Sequence, residues 1–469
     1  MENHTSKYTK FREQYPEFIY HNVVIEEGET CLKISFQFSI PGLKEFCPRW
    51  IFPKPAHRKA ADDPLLREMA FSLGMTELVS YWKITCSPKV KVLAGTLGDE
   101  QKAWWKDLYF NGLGEFFYVN GIREAEIENF MTIEAEAPEG EAGLKGEKSN
   151  AAEAEISRHP GVLVPVGGGK DSAVTLELLK KAGAEIWAYI INPRGATLET
   201  VKAAGLSNDR VIQVSRTLDQ NMLELNRQGY LNGHTPFSAI VAFSSLIAAR
   251  LYDLPYIALS NESSANESTV SGSTVNHQYS KSFQFEQDFH RYAADYLPGS
   301  AYYFSLLRPL SEFQIARYFA GLKQYHQIFR SCNVGSKTDS WCGHCPKCLF
   351  VCLILSPFLN REEVKEIFGR DMLEDKELKD TLEKLTGIQE EKPFECVGSR
   401  SEVNTAIAIT IQKLEEKGEK LPWLLEYYKT TDLYEQYRVH PDAYDTYFDQ
   451  ENLVPDEWLS LVKKTCAQR

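Results

Sequence analysis

Residues 162–183 read VLVPVGGGKDSAVTLELLKKAG, and the reading of this stretch decides the fold. Apolar, mostly β-branched residues run into three consecutive glycines, Gly167, Gly168 and Gly169. Lys170, Asp171 and Ser172 follow, and apolar residues then recur at helical spacing. The pattern predicts a buried strand, a tight turn and a helix. Glycines at such a turn cost backbone entropy, so something there needs bare backbone. Amides without side chains in the way can approach an anion, and the helix that follows points its N-terminus at the same place. Ser172 adds a hydroxyl donor, Lys170 a charge for a phosphate, and Asp171 a helix cap or a Mg²⁺ ligand.

Two phosphate-binding loops compete for this stretch. A Walker A loop, G-x4-G-K-[ST], is not met: Val164 stands where its first glycine belongs, and Asp171 follows Lys170. The stretch resembles instead the pyrophosphate loop of the ATP-pyrophosphatase superfamily, S-G-G-x-D-S after the first strand, with Gly167 in place of the leading Ser. That resemblance implies a nucleotide cleaved between its α- and β-phosphates, an adenylated substrate oxygen and released pyrophosphate. It places ATP on Gly167, Gly168, Gly169, Lys170 and Ser172, with Asp171 near Mg²⁺. Asn192, at the end of the next predicted strand, would meet the adenosine. Arg194 would reach a phosphate or form a surface ion pair.

Working outward, strands and helices alternate from residue 160: VLVPV, IWAYIIN, VIQV and YIALS as strands, with helices between them. This predicts an α/β fold with a doubly wound parallel sheet, whose ligands bind beyond the carboxyl ends of the strands. Residues 1–132 read as a small α+β domain. It has a β-hairpin over 17–40, helices near 63–81 and 98–112, and an extended stretch at GEFFYVNGI. The Glu/Ala-rich residues 133–159 read as a linker or mobile loop. The expected domains are therefore 1–132, that linker, 160–330 for the nucleotide, and a cysteine cluster with a mostly helical region over 331–469.

The net charge of −13 on 469 residues argues against broad nucleic-acid or anionic-membrane binding. The first residues lack an apolar signal region, and the longest apolar run, LFVCLILSPFL, is too short to span a bilayer. A cytoplasmic protein is expected, and no feature specifies an oligomer. Four of the ten cysteines, Cys332, Cys342, Cys345 and Cys348, follow C-x9-C-x2-C-x2-C, a spacing that wraps thiolates round one ion. Structural zinc is the expectation, and an iron–sulfur cluster is the alternative. His344 and Cys352 are near enough to substitute, with Cys352 better suited to a helix core. Enzymes of the same superfamily that make 7-cyano-7-deazaguanine carry a similar cluster, which favours zinc.

Further stretches narrow the resemblance: SNESSANES at 260–268, VNHQYSKSFQFE at 275–286, WCGHCPKC at 341–348 and PFECVGSRSE at 393–402. With PVGGGKDS, and in that order, they resemble the bacterial UDP-N-acetylmuramoyl-L-alanyl-L-glutamate epimerase family over nearly the whole chain. That resemblance implies inversion of the terminal L-Glu of a UDP-linked muramoyl dipeptide, with ATP and Mg²⁺ consumed on the way to peptidoglycan. Glu262, Glu267, His277 and Lys281 are then the proton-transfer candidates. Lys281, Arg308 and Arg330 are candidate partners for the substrate anions, and Cys396 and Gly398 line the site. Arg308 also precedes a capping box, Ser311-x-x-Gln314. Another adenylating enzyme, such as an amide- or nitrile-forming ligase or a tRNA thiolase, is the competing reading.

Overall fold

The computed structural model describes residues 6–135, 161–266 and 279–466. Its strands are β1 (Glu17–Glu27), β2 (Cys31–Ile40), β3 (Lys44–Phe46), β4 (Arg49–Pro53), β5 (Lys89–Val92), β6 (Thr132–Glu134), β7 (Gly161–Pro165), β8 (Glu185–Ile191), β9 (Val211–Thr217), β10 (Tyr256–Leu259) and β11 (Tyr302–Ser305). With many helices they make a mixed α/β protein with a large sheet. The chain groups into two compact units, each assembled from separate stretches of sequence. One comprises residues up to Leu163 with Ile212–Ile257 and Tyr279–Tyr303; the other comprises Val164–Val211, Ala258–Gln278 and Phe304–Arg469. No described helix is long and apolar enough to cross a membrane.

In the first unit the expected hairpin is present. β1 and β2 pair antiparallel, Ile25 opposite Ile34, with a bulge between Tyr20 and Asn22. Neighbours run β9-β4-β2-β1-β5-β6, with β3 on β2. The helix Pro64–Trp82 begins where sequence logic puts it. Asp63 accepts from the Leu65 and Leu66 amides, and Pro64 occupies the first turn, where its missing N–H costs nothing. From that helix Glu77, fully buried, takes two bonds from Arg216 and one from the Trp50 indole, so its charge is paired and hydrogen-bonded. GEFFYVNGI is not extended: Gly114–Val119 is a short helix. Phe116 and Phe117 are both buried, and a strand would send neighbouring side chains to opposite faces.

The neighbours β11-β10-β7-β8-β9 carry the expected alternation. The chain steps from β7 to β8 to β9 in one direction, then returns to lay β10 and β11 on the other side of β7. The order therefore reverses between β7 and β10. These two strands are parallel, Tyr256 opposite Val162 and Ile257 opposite Leu163, so both end at the same edge. That edge is where doubly wound sheets bind ligands. Val162, Leu163 and Val164 are fully buried, which explains the unbroken apolar run in β7. The loops that follow β7, β8 and β10, and the helices from Glu312 onward, all belong to the second unit.

Candidate active site and cysteine tetrad

The glycine turn forms as expected, with one change of role. Gly169, not Asp171, is the N-cap of the helix Lys170–Lys181, and it gives no side-chain cap. Asp171 sits inside the first turn and pairs with Lys170. Gly168 has φ +81°, the left-handed region that favours glycine. A Cβ there would stand 3.0 Å from the Ala196 carbonyl carbon, so the turn is pressed against the start of the helix Gly195–Ala203. Ser172 Oγ donates to the Gly169 carbonyl at 3.0 Å.

Three carboxylates gather beside this turn. Asp171 comes from the first turn of its helix, Glu262 from the loop after β10, and Glu312 from the first turn of the helix Glu312–Ala320. One oxygen of each lies within 4.8 Å of the others. Glu312 is placed by the expected capping box: Ser311 Oγ accepts from Gln314 N at 3.2 Å, and Gln314 Oε1 accepts from Ser311 N at 3.0 Å. A fourth carboxylate stands behind them. Glu402 Oε1 accepts the Glu312 amide at 2.6 Å, while Oε2 accepts the Ser399 amide and hydroxyl at 2.7 and 2.8 Å.

Lys170 is the cation of this cluster. It is buried and ion-paired to both Asp171 and Glu312. Burial works against its charge, but the two carboxylates outweigh it and hold the ammonium above the usual lysine range. Burial drives the Glu312 carboxyl well above the usual carboxylate range; Lys170 opposes this, and the neighbouring acids reinforce it. Glu402 is raised as well, again chiefly by burial. Glu262 is only 5% exposed, and no described side chain makes a hydrogen bond or ion pair with its carboxylate. A closely spaced set of hard oxygen donors suits a small divalent cation such as Mg²⁺.

The cysteine tetrad is a second centre in the same unit. Sγ–Sγ distances are 3.8 Å for Cys332–Cys345, 3.7 Å for Cys342–Cys348 and 3.5 Å for Cys345–Cys348. Four thiolates at about 2.3 Å from one tetrahedral ion stand roughly 3.8 Å apart, so the spacing suits a single ion such as structural zinc. Gly343, at φ +75°, makes the knuckle between Cys342 and Cys345. The hydrogen bond between Cys345 and Cys348 lowers the Cys345 thiol to about 5 and raises Cys348. Cys352 is fully buried along the helix Pro346–Leu355, as expected for a core residue.

The family model described as the MurL N-terminal domain matches residues 9–306, and that described as the MurL C-terminal domain matches residues 328–429. The chain belongs to the MurL family. Similar relatives are named UDP-N-acetyl-alpha-D-muramoyl-L-alanyl-L-glutamate epimerase. The protein from Xanthomonas oryzae pv. oryzae is 36% identical over 348 residues, covering 72% of this chain and 73% of its own length. That of Micromonospora sp. is 34% identical over 341 residues, covering 71% and 73%. That of Salinispora tropica is 35% identical over 338 residues, covering 71% and 70%. No solved structure matches.

In this MurL family member the expected site residues do not all gather in one place. Gly167, Gly168, Gly169, Lys170, Asp171, Ser172 and Glu262 converge at the β7/β10 edge. Asn192, with φ 49°, directly follows β8, and Arg194 donates to the Gly167 carbonyl at 3.3 Å. Gly398 packs close to Glu402 and Phe350. Arg308 and Arg330 both bond backbone carbonyls. Arg308 is fully buried and donates to the Glu262 carbonyl at 2.6 Å; the Arg330 guanidinium donates to the carbonyls of Phe329 and Asp339. Lys281, half-buried in the short turn Tyr279–Lys281, belongs to the first unit. Glu267 and His277 lie outside the described residues. Glu312 and Glu402 were not singled out by sequence, although each follows a helix-start signal, Ser311 and Ser399-x-x-Glu402.

Proposed function

We propose that this protein epimerises the terminal glutamate of UDP-N-acetylmuramoyl-L-Ala-L-Glu in an ATP- and Mg²⁺-dependent reaction, a cytoplasmic step of peptidoglycan precursor synthesis. The names of its MurL relatives support the substrate and the inversion. One observation carries the nucleotide part: a glycine turn and a trio of carboxylates stand together where the strand order reverses. A pyrophosphate-loop fold is part of the same proposal.

The chemistry follows from the acidity of one C–H bond. A free carboxylate resists loss of its neighbouring Cα proton, because a second negative charge would form beside the first. In the proposed sequence the glutamate carboxylate oxygen attacks the α-phosphorus of ATP and pyrophosphate leaves. The acyl adenylate carries no carboxylate charge and withdraws electrons, so the Cα–H becomes far more acidic. A base removes that proton, and an acid returns one on the opposite face. Water then attacks the acyl carbon, releasing AMP and the D-Glu product.

The chain's residues divide this work. The amides of Gly167, Gly168 and Gly169 and the N-terminus of the following helix receive phosphate oxygens. Ser172 turns its hydroxyl from the Gly169 carbonyl to the ligand, and Asn192 and Arg194 border the nucleotide. Asp171, Glu262 and Glu312 would hold Mg²⁺, whose charge offsets that of the phosphates. Lys170 keeps these acids from repelling one another. Glu267, His277 and Lys281 remain the proton-transfer candidates, with Glu262 joining them if it leaves the cation. Alanine at the true base should lower turnover by about 10²–10⁴-fold and leave ATP binding intact. Zinc held by Cys332, Cys342, Cys345 and Cys348 would be structural. An assay for AMP and pyrophosphate tests the proposal: both should appear only when the UDP-linked dipeptide is added, and ADP in their place contradicts it.

A further inference from the structure

The stretch from Arg330 to Cys342, which carries the first two cysteines of the tetrad, also holds the glycine turn. Arg330, two residues before Cys332, donates its backbone N–H to the Gly168 carbonyl at 2.7 Å. Its guanidinium donates at 3.1 Å to the carbonyl of Asp339, three residues before Cys342. Asp339 has φ 48°, an uncommon backbone for a residue with a side chain. Its carboxylate accepts the amides of Gly195 at 2.7 Å and Ala196 at 3.3 Å. Arg194, the N-cap of that helix, gives no side-chain cap, so Asp339 supplies one from 144 positions away. The same helix start is what Gly168 presses against. The contacts close a circuit: Cys332 to Arg330, to Gly168, across to Ala196, to Asp339, and back to Cys342.

We propose that Asp339 is a positioning residue through which the metal-filled tetrad fixes the glycine turn, so that metal loading of the four cysteines sets nucleotide affinity. The inference rests on the reading of that turn as the phosphate loop. Physically, an ion fixes both ends of the 332–342 segment. Arg330 then pins one side of the turn, and Asp339 pins the helix packed on its other side. A turn already held in its binding conformation loses less entropy when a ligand arrives.

The test uses the full chain with its metal bound, and compares wild type, Asp339→Ala, Asp339→Asn and chelator-stripped wild type. Amide hydrogen exchange over residues 164–172 and 193–200 is read beside metal content and ATP affinity. Losing a helix cap should raise exchange there about fivefold in Asp339→Ala, with metal content unchanged. ATP should bind correspondingly more weakly, through KM rather than kcat. Asp339→Asn keeps one acceptor oxygen and should recover part of the loss. Stripping the metal should reproduce the faster exchange at the same residues. If Asp339→Ala does not fold, Asp339→Asn and the stripped protein decide the matter. Unchanged exchange over 164–172 in a metal-loaded Asp339→Ala, or in the stripped protein, overturns the proposal. Failure of wild type to bind ATP overturns the nucleotide reading instead, and the exchange data still judge the clamp.

Discussion

Lys170 follows the glycine turn directly, and its ammonium is ion-paired to Glu312, 142 positions further along the chain. The two side chains are 3% and 5% exposed, so neither charge has water to fall back on. Removing one partner of a buried pair strands the other. Lys170→Met should therefore lower stability by about 3 kcal/mol. Adding Glu312→Leu to that variant should restore much of the loss. Urea unfolding of wild type, both single variants and the double variant measures the coupling; strictly additive losses would show that the pair is not a unit.

The glycines of the turn should differ in tolerance. Gly168 is left-handed and would press a Cβ to 3.0 Å from backbone, whereas nothing lies within 4 Å of a Cβ on Gly167. Gly168→Ala should abolish measurable ATP binding, and Gly167→Ala should keep it within about tenfold of wild type, because only the first change deforms the backbone. Calorimetric titration with ATP checks both. Equal losses in the two variants would contradict the assigned geometry.

One metal ion per chain is expected in the tetrad. Cys345→Ser removes a thiolate that touches both Cys332 and Cys348, so it should lose the ion and lower the melting temperature. Cys352→Ala, in the neighbouring helix core, should keep the metal and pay only for a small cavity. Elemental analysis with thermal unfolding separates them. Metal loss in Cys352→Ala, or retention in Cys345→Ser, would contradict the ligand set.

Stability should carry the mark of Lys83, just past the C-terminus of the helix Pro64–Trp82. Burial, with help from Arg216, pulls its ammonium from 10.5 down to about 8, while Cys86 and Glu115 oppose the shift. Between those two values the unfolded chain holds more protons than the folded one, so this contribution to stability rises with pH. Below about pH 8 it is constant, at its least favourable. Lys83→Met removes the group, so the stability of wild type relative to this variant should climb between pH 8 and 10.5. Urea midpoints across that range check the slope; a gap independent of pH would contradict it.

What the sequence made legible was local. The strand–glycine–helix passage and the cysteine spacing depend on neighbours within about twenty residues, and both stand as read. Ser311-x-x-Gln314 is a capping box for the same reason. Glu312 and Glu402 escaped because their meaning lies in tertiary packing: they sit 90 positions apart and meet only when two helices bring their first turns together. Ser399-x-x-Glu402 carries a helix-start signal, but the bond from the Glu312 amide to Glu402 has no local signature. From charge alone Arg308 and Arg330 read as anion partners; their bonds to backbone carbonyls are a structural part that sequence does not display. Of the two roles the sequence offers Asp171, cap or Mg²⁺ ligand, the cap position is taken by Gly169.

The central claim is that the protein labilises the glutamate Cα–H by adenylating the adjacent carboxylate. Incubation with ATP, Mg²⁺ and UDP-N-acetylmuramoyl-L-Ala-L-Glu in D₂O tests it most directly, with products read by mass spectrometry and a chiral assay of the released glutamate. The account predicts deuterium at the glutamate Cα, D-Glu in the product, and AMP formed in step with it. AMP without deuterium, or inversion that proceeds with ATP omitted, would contradict it.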